Sequence, residues 1–327
     1  MAGPQPTVPE TDTLSPRVIR DLHADLVRQK RRSLIQASPL LLLAAFAWLA
    51  AITDPARFAG LFFLVFLVFA GIGGIAYEWI TLRRVDPMVL YEREQRAAET
   101  RKAEQVDHML KTAAIRPYAS LVGVGVLIAL TLIQFNSGSL AKTVAAAGLV
   151  KPAVAAGEWW RLLTASYLHG SGLHLISNVG ALGTIGELIE TYDRRLRIPL
   201  VYLCAVIGGS VMSTLASPRP AIGASGGVLG LAAYLLVVAG RQSGDTPAWV
   251  RRQMLKILAM TALLGIVAYA FIDNAAHAGG ALTGAAIGYF TISRDSDASR
   301  ITLDSAGWAA AAILWAGAVF TVLRLTG

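Results

Sequence analysis

Charged residues fall in clusters along this chain, and between the clusters lie apolar stretches of bilayer-crossing length. The stretches run over 33–53, 58–77, 119–135, 172–188, 198–217, 220–240, 257–272, 274–293 and 305–323. At 1.5 Å rise per residue, each is near what about 30 Å of hydrocarbon demands of a helix. The 172–188 stretch is the least apolar, because it carries His174, Ser177, Asn178 and Glu187. A span with that content must face protein or water, not lipid. Between the second and third stretches, EREQRAAETRKAEQVDHMLKTAA predicts a polar helix that Pro117 ends or kinks. The reading is an all-α polytopic membrane protein. It divides into a tail (1–32), two N-terminal spans (33–79), a charged helical linker (80–117), a core (118–293) and a last span (294–327).

Composition agrees with this pattern. The chain is 55% hydrophobic and 15% charged, against about 25% charged in soluble domains. Its mean hydropathy is +0.55. A formal charge of +8 could suggest nucleic acid in a soluble protein, but here the arginines sit in short segments between apolar runs, so no nucleic-acid partner is expected. With nine spans and the N-terminus inside, 23 of the 29 Lys and Arg residues fall on the inner side. That bias supports both the count and a cytosolic N-terminus, and membrane lipids are the expected surroundings. No secretory signal peptide is evident, so the first span is expected to be retained. Cys204, the only cysteine, allows no internal disulfide and is expected to be a small buried hydrophobe. The long segment 136–171 includes VAAAGLV and GEWW and suits the membrane interface.

Polar residues inside the apolar runs carry the chemistry. Ser225 sits in GASGG near the outer start of its run, His277 in NAAHAGGALTG near the outer start of another, and His174 and Asn178 in HGSGLHLISN near the start of a third. All three runs travel inward, so these residues share a depth. A serine and a histidine at one depth can pair as nucleophile and base. Asn178 lies one helical turn below His174, where amide and imidazole donors could stabilise an oxyanion. Read alone, these residues also fit a transporter that uses His174 and His277 as a proton relay, although embedded acids are scarce. A zinc site from His169, His174 and His277 lacks a carboxylate or cysteine to complete it. Asp273 is the only acid near His277, and nothing in the sequence requires it in catalysis.

The combination resembles the rhomboid family of intramembrane serine proteases. The GxSG motif is Gly223-Ala224-Ser225-Gly226, the later histidine with spaced glycines is His277 with Gly280 and Gly284, and the HxxxN pair is His174 and Asn178. Trp160-Arg161 in the long outer segment and Glu190 at the inner end of the HxxxN span complete the set. The resemblance implies a six-helix core, and the last span resembles an extra helix found in some members; with the two N-terminal spans, which fall outside the pattern, the expectation is additional transmembrane helices at both ends. It implies a Ser225–His277 dyad without a third acid, and an oxyanion hole from His174, Asn178 and the Ser225 backbone N–H. His169 and Asn274 are implied as supporting residues, transmembrane proteins as substrates, and no cofactor or metal. The implied setting is the inner membrane of a bacterium. A catalytically silent relative that binds membrane helices shares most of this pattern. One departure is Leu229, where many family members carry an aromatic four residues after the nucleophile.

Overall fold

The structure, a computed structural model, describes residues 87–113, 115–241, 246–269, 271–292 and 297–327. The predicted tail and the predicted spans at 33–53 and 58–77 lie outside these. Chain contacts separate two units, Met1–Val106 and Asp107–Gly327. In the first, the described residues belong to a polar helix, α1 (Pro87–Ala113), whose end passes into the second.

All the other elements belong to the second unit. They are α2 (Tyr118–Asn136), α3 (Leu140–Ala147), α4 (Lys151–Ala155), α5 (Arg161–Thr164) with a 3-10 turn at Ala165–Tyr167, α6 (Gly172–Tyr192), α7 (Arg197–Ala216), α8 (Ser225–Arg241), α9 (Ala248–Val267), α10 (Asn274–Ile292) and α11 (Asp297–Thr326). Among the described residues, α2, α7 and Ile301–Thr326 of α11 are long and apolar enough to cross a membrane. Helix α8 is as apolar but has 17 residues. The chain is an all-α polytopic membrane protein. Helices α6, α9 and α10 are diluted by polar and small residues such as Asn178, Arg251, Arg252 and His277.

Helix α8 is the centre of the bundle, with nearly every residue from Gly226 to Leu235 buried. It packs against α6, α7, α9 and α10. Hydrophobic burial does not drive such packing in lipid, so close backbone approach through small residues matters more. Gly280 and Gly284 on α10 face the backbone of Gly226 and Gly230 on α8 so closely that a Cβ on either would collide with it. A Cβ on Gly209 of α7 would likewise collide with Ala276 O of α10, and one on Gly279 of α10 with Gly208 O of α7. Three helices are thus drawn together by glycines around the Ser225 end of α8. Cys204 on α7 is half-buried, more exposed than its apolar setting predicts.

Within the core, two helix starts differ from the sequence reading for physical reasons. The run at 220–240 becomes helical only at Ser225. Before it, Ala221 pairs with Leu149 in an antiparallel bridge (N···O 2.9 and 3.2 Å). Gly223 has φ of 129°, which no helix accommodates. The run at 257–272 is shifted, because α9 starts at Ala248 within a basic segment and stops at Val267. A turn follows, with Phe271 and Ile272 N–H both donating to Ala268 O (2.8 and 3.0 Å).

The far end of the bundle is held by Glu190. Its buried carboxylate accepts from Ser120 N (2.9 Å), Ser120 Oγ (2.7 Å) and Ala119 N (3.3 Å). Pro117, the N-cap of α2, supplies no side-chain cap, so the acid on α6 serves instead.

Candidate active site

Ser225 is the first residue of α8, on a helix start where leading N–H groups have no intrahelical acceptor. Gly223 N donates to Ala165 O (2.9 Å), and together with the Leu149–Ala221 bridge this holds the approach to the serine against the segment 136–171. His277 lies one turn into α10. Its Nε2 is 2.7 Å from Ser225 Oγ, a distance at which a serine and a histidine can pair as nucleophile and base, and both residues are partly accessible. The glycine contacts between α8 and α10 set the helix separation that permits this distance.

Asp273 has another task. It is the residue before α10, and its Oδ1 accepts from Ala276 N (3.1 Å), a helix cap. Its Oδ2 accepts from Ser213 Oγ and lies 3.9 Å from Lys151 Nζ. Lys151 is buried and also donates to Arg219 O (2.5 Å). Burial pulls the Lys151 amine below its ordinary range, with Asp273 opposing that shift and Arg219 adding to it. The acid therefore fixes the start of the histidine-bearing helix, and its hydrogen bonds go to groups other than the imidazole.

His174 sits on α6, whose Ser171 cap accepts from His174 N (3.2 Å). Its imidazole lies against Gly223, where a Cβ would come within 2.7 Å of His174 Cε1. The positive φ and this contact both require glycine at 223. Asn178 is buried, and its Nδ2 donates to His174 O (3.0 Å), which leaves its second amide N–H for another acceptor. His169 is fully buried behind His174, with ring centroids 5.1 Å apart in an edge-to-face arrangement. Its Nδ1 meets Thr131 Oγ1 (2.9 Å), and its backbone N–H and C=O bond Gln134 (2.8 and 3.0 Å). Burial, then the neighbouring His174, push its pKa down to about 3, so it is a neutral wall of the site. Asn274 turns toward α9, where its Nδ2 donates to Gly265 O (2.9 Å).

The segment 136–171 is built around Arg161. This buried guanidinium donates to Glu158 Oε2 (2.6 Å), Gly148 O (2.8 Å) and Ala145 O (2.9 Å), and stacks 4.5 Å from the Trp160 ring. Five donors in a fixed fork suit that task, which lysine could not perform. Trp160-Arg161 therefore shapes the segment over the site. Sequence reasoning missed Thr131, Gln134, Lys151 and Gly230. Only Gly230 had a visible signal, because Gly226 and Gly230 repeat the spacing of Gly280 and Gly284.

Residues 156–294 match the Rhomboid domain family. Among curated proteins, the chain is 36% identical over 155 residues to the rhomboid protease GluP of Bacillus subtilis (strain 168), covering 47% of this chain and 30% of GluP. It is 32% identical over 145 residues to the mitochondrial RHOMBOID-like protein 6 of Arabidopsis thaliana, covering 43% of this chain and 47% of that protein. It is 30% identical over 157 residues to the rhomboid protease AarA of Providencia stuartii, covering 40% of this chain and 55% of AarA. The chain thus spans between about a third and about half of the length of these relatives. The matched region includes the serine–histidine pair, Ser225 and His277.

Proposed function

We propose that the rhomboid domain of this chain is an intramembrane serine endopeptidase, with Ser225 as nucleophile and His277 as general base. Its core is α2 and α6 to α10, and α11 is an added helix. The N-terminus lies on the cytosolic side, the membrane is the bacterial inner membrane, and the substrates are other transmembrane helices. The observation that carries the reading is the 2.7 Å contact between Ser225 Oγ and His277 Nε2.

The chemistry proceeds by acyl transfer. With the imidazole neutral and its proton on Nδ1, Nε2 accepts the Ser225 proton as Oγ bonds to the substrate carbonyl carbon. The oxyanion that forms is met by the Ser225 N–H, by the His174 imidazole and by the Asn178 amide. Collapse breaks the C–N bond, and the proton on Nε2 passes to the leaving amine. Water then adds to the acyl carbon and gives its proton to His277; collapse breaks the C–Oγ bond, returns that proton to Ser225 and releases the new carboxyl end. Gly223, Gly226, Gly280 and Gly284 hold the two helices at dyad distance. His169, Asn274, Trp160, Arg161 and Glu190 support the site without touching substrate. No step requires a cofactor or a metal.

The test is cleavage of a model transmembrane substrate by purified protein. Ser225→Ala and His277→Ala each abolish turnover while melting like the parent. Turnover by Ser225→Ala above a few per cent of the parent rate contradicts the assignment.

A further inference from the structure

An apolar cavity of about 440 Å³ lies between α2, α7 and α11, away from the dyad. Val122, Leu182, Pro199, Trp308 and Trp315 contribute to its lining, which is almost wholly apolar. Trp308 and Trp315 are 67% and 56% exposed, so the cavity opens sideways between these rings. Water gains little in such a space, because it needs two to four polar partners.

One end differs. Tyr118 and Arg195 line it, and Arg116 donates to Tyr118 Oη (3.3 Å). The two neighbouring arginines are engaged: Arg194 pairs with Asp304 at 2.5 Å, and buried Arg197 lies 3.9 Å from the same carboxylate. Arg195 is exposed and makes no side-chain hydrogen bond or ion pair among the described residues. An apolar slot of acyl-chain character with an unengaged guanidinium at one end is complementary to an anionic amphiphile.

We propose that this cavity holds an acyl chain of an anionic phospholipid, with the headgroup phosphate on Arg195. The lipid comes from the leaflet at the Arg195 end of the bundle. Arg116 stands near the same headgroup through Tyr118. The site is separate from the peptidase reading, since none of these residues touches Ser225 or His277.

Native mass spectrometry of the full chain in a neutral detergent, titrated with phosphatidylglycerol or phosphatidylcholine, reads binding directly. The parent retains phosphatidylglycerol in preference to phosphatidylcholine, and phosphatidylglycerol raises its melting temperature more. Arg195→Gln lowers the apparent affinity for phosphatidylglycerol about fivefold and removes the preference, as expected for one basic residue near a charged headgroup. Ala311→Phe, which fills the cavity, lowers retention of both lipids. Mass spectrometry counts lipids on folded protein only, so a destabilised variant still reports. Equal retention of both lipids by the parent, or an unchanged preference in Arg195→Gln, overturns the proposal. So does full retention in Ala311→Phe, and so does a parent that binds neither lipid because another part of the chain or a second copy fills the cavity.

Discussion

Asn178 is the residue whose role separates catalysis from architecture. One of its amide protons is already committed to His174 O at 3.0 Å, and the other is available when an oxyanion forms. An interaction made chiefly in the transition state affects kcat and leaves KM nearly unchanged. Asn178→Ala is expected to lower kcat about tenfold or more, below the 10²–10³ seen for a lone oxyanion donor, because His174 and a backbone N–H share the load. Its melting temperature should stay close to the parent value. If Asn178 only joined helices, the loss would be about 0.6 kcal/mol of stability with normal turnover. Steady-state kinetics and a melting curve on one preparation decide. The serine and histidine were legible in the sequence because two spans of one direction placed them at one depth. The cage around His169 was not, because Thr131 and Gln134 lie 38 and 35 positions from it, and only the fold brings them together.

Among elements, the α8–α10 contact is the most exacting. A side chain at Gly284 would meet the Gly230 backbone, which cannot give way as a flexible side chain could. Gly284→Val is expected to cost about 1–3 kcal/mol through overpacking, and to lower turnover by separating His277 from Ser225. Thermal unfolding and substrate cleavage measure the two effects. Glu190 behaves differently, because it lies at the other end of α6 from His174. Glu190→Ala leaves the first-turn N–H groups of α2 without their acceptor and should cost about 1–3 kcal/mol, with kcat of the folded fraction unchanged. A fall in kcat equal to that of Asn178→Ala would contradict the separation. The existence of these helices was readable from hydropathy, but the start of α8 was not. The pattern from Pro220 onward is apolar, and only the bridge to Leu149 and the glycine conformation at 223 keep the chain extended as far as Ser225.

For the whole molecule, the distribution of Lys and Arg predicts an orientation that labelling can read. In a background where Cys204 is replaced by serine, cysteine at exposed Arg252 should react only from the cytosolic side, and cysteine at exposed Ala141 only from the opposite side. Reversed reactivity would contradict the N-inside arrangement. Among the described residues, only three helices are both long and apolar enough to cross a membrane, fewer than the apolar runs read there from the sequence. Helices α6 and α10 exchange apolar residues for the His174, Asn178 and His277 of the site, and hydropathy averages count that against them. The central claim is that Ser225 is an activated nucleophile, and the most direct measurement is the site of fluorophosphonate attachment, read by mass spectrometry of the digested protein. The account predicts one adduct, on Ser225, strongly reduced in His277→Ala and absent in Ser225→Ala. A folded parent that takes up no label, or carries it on another residue, would contradict it.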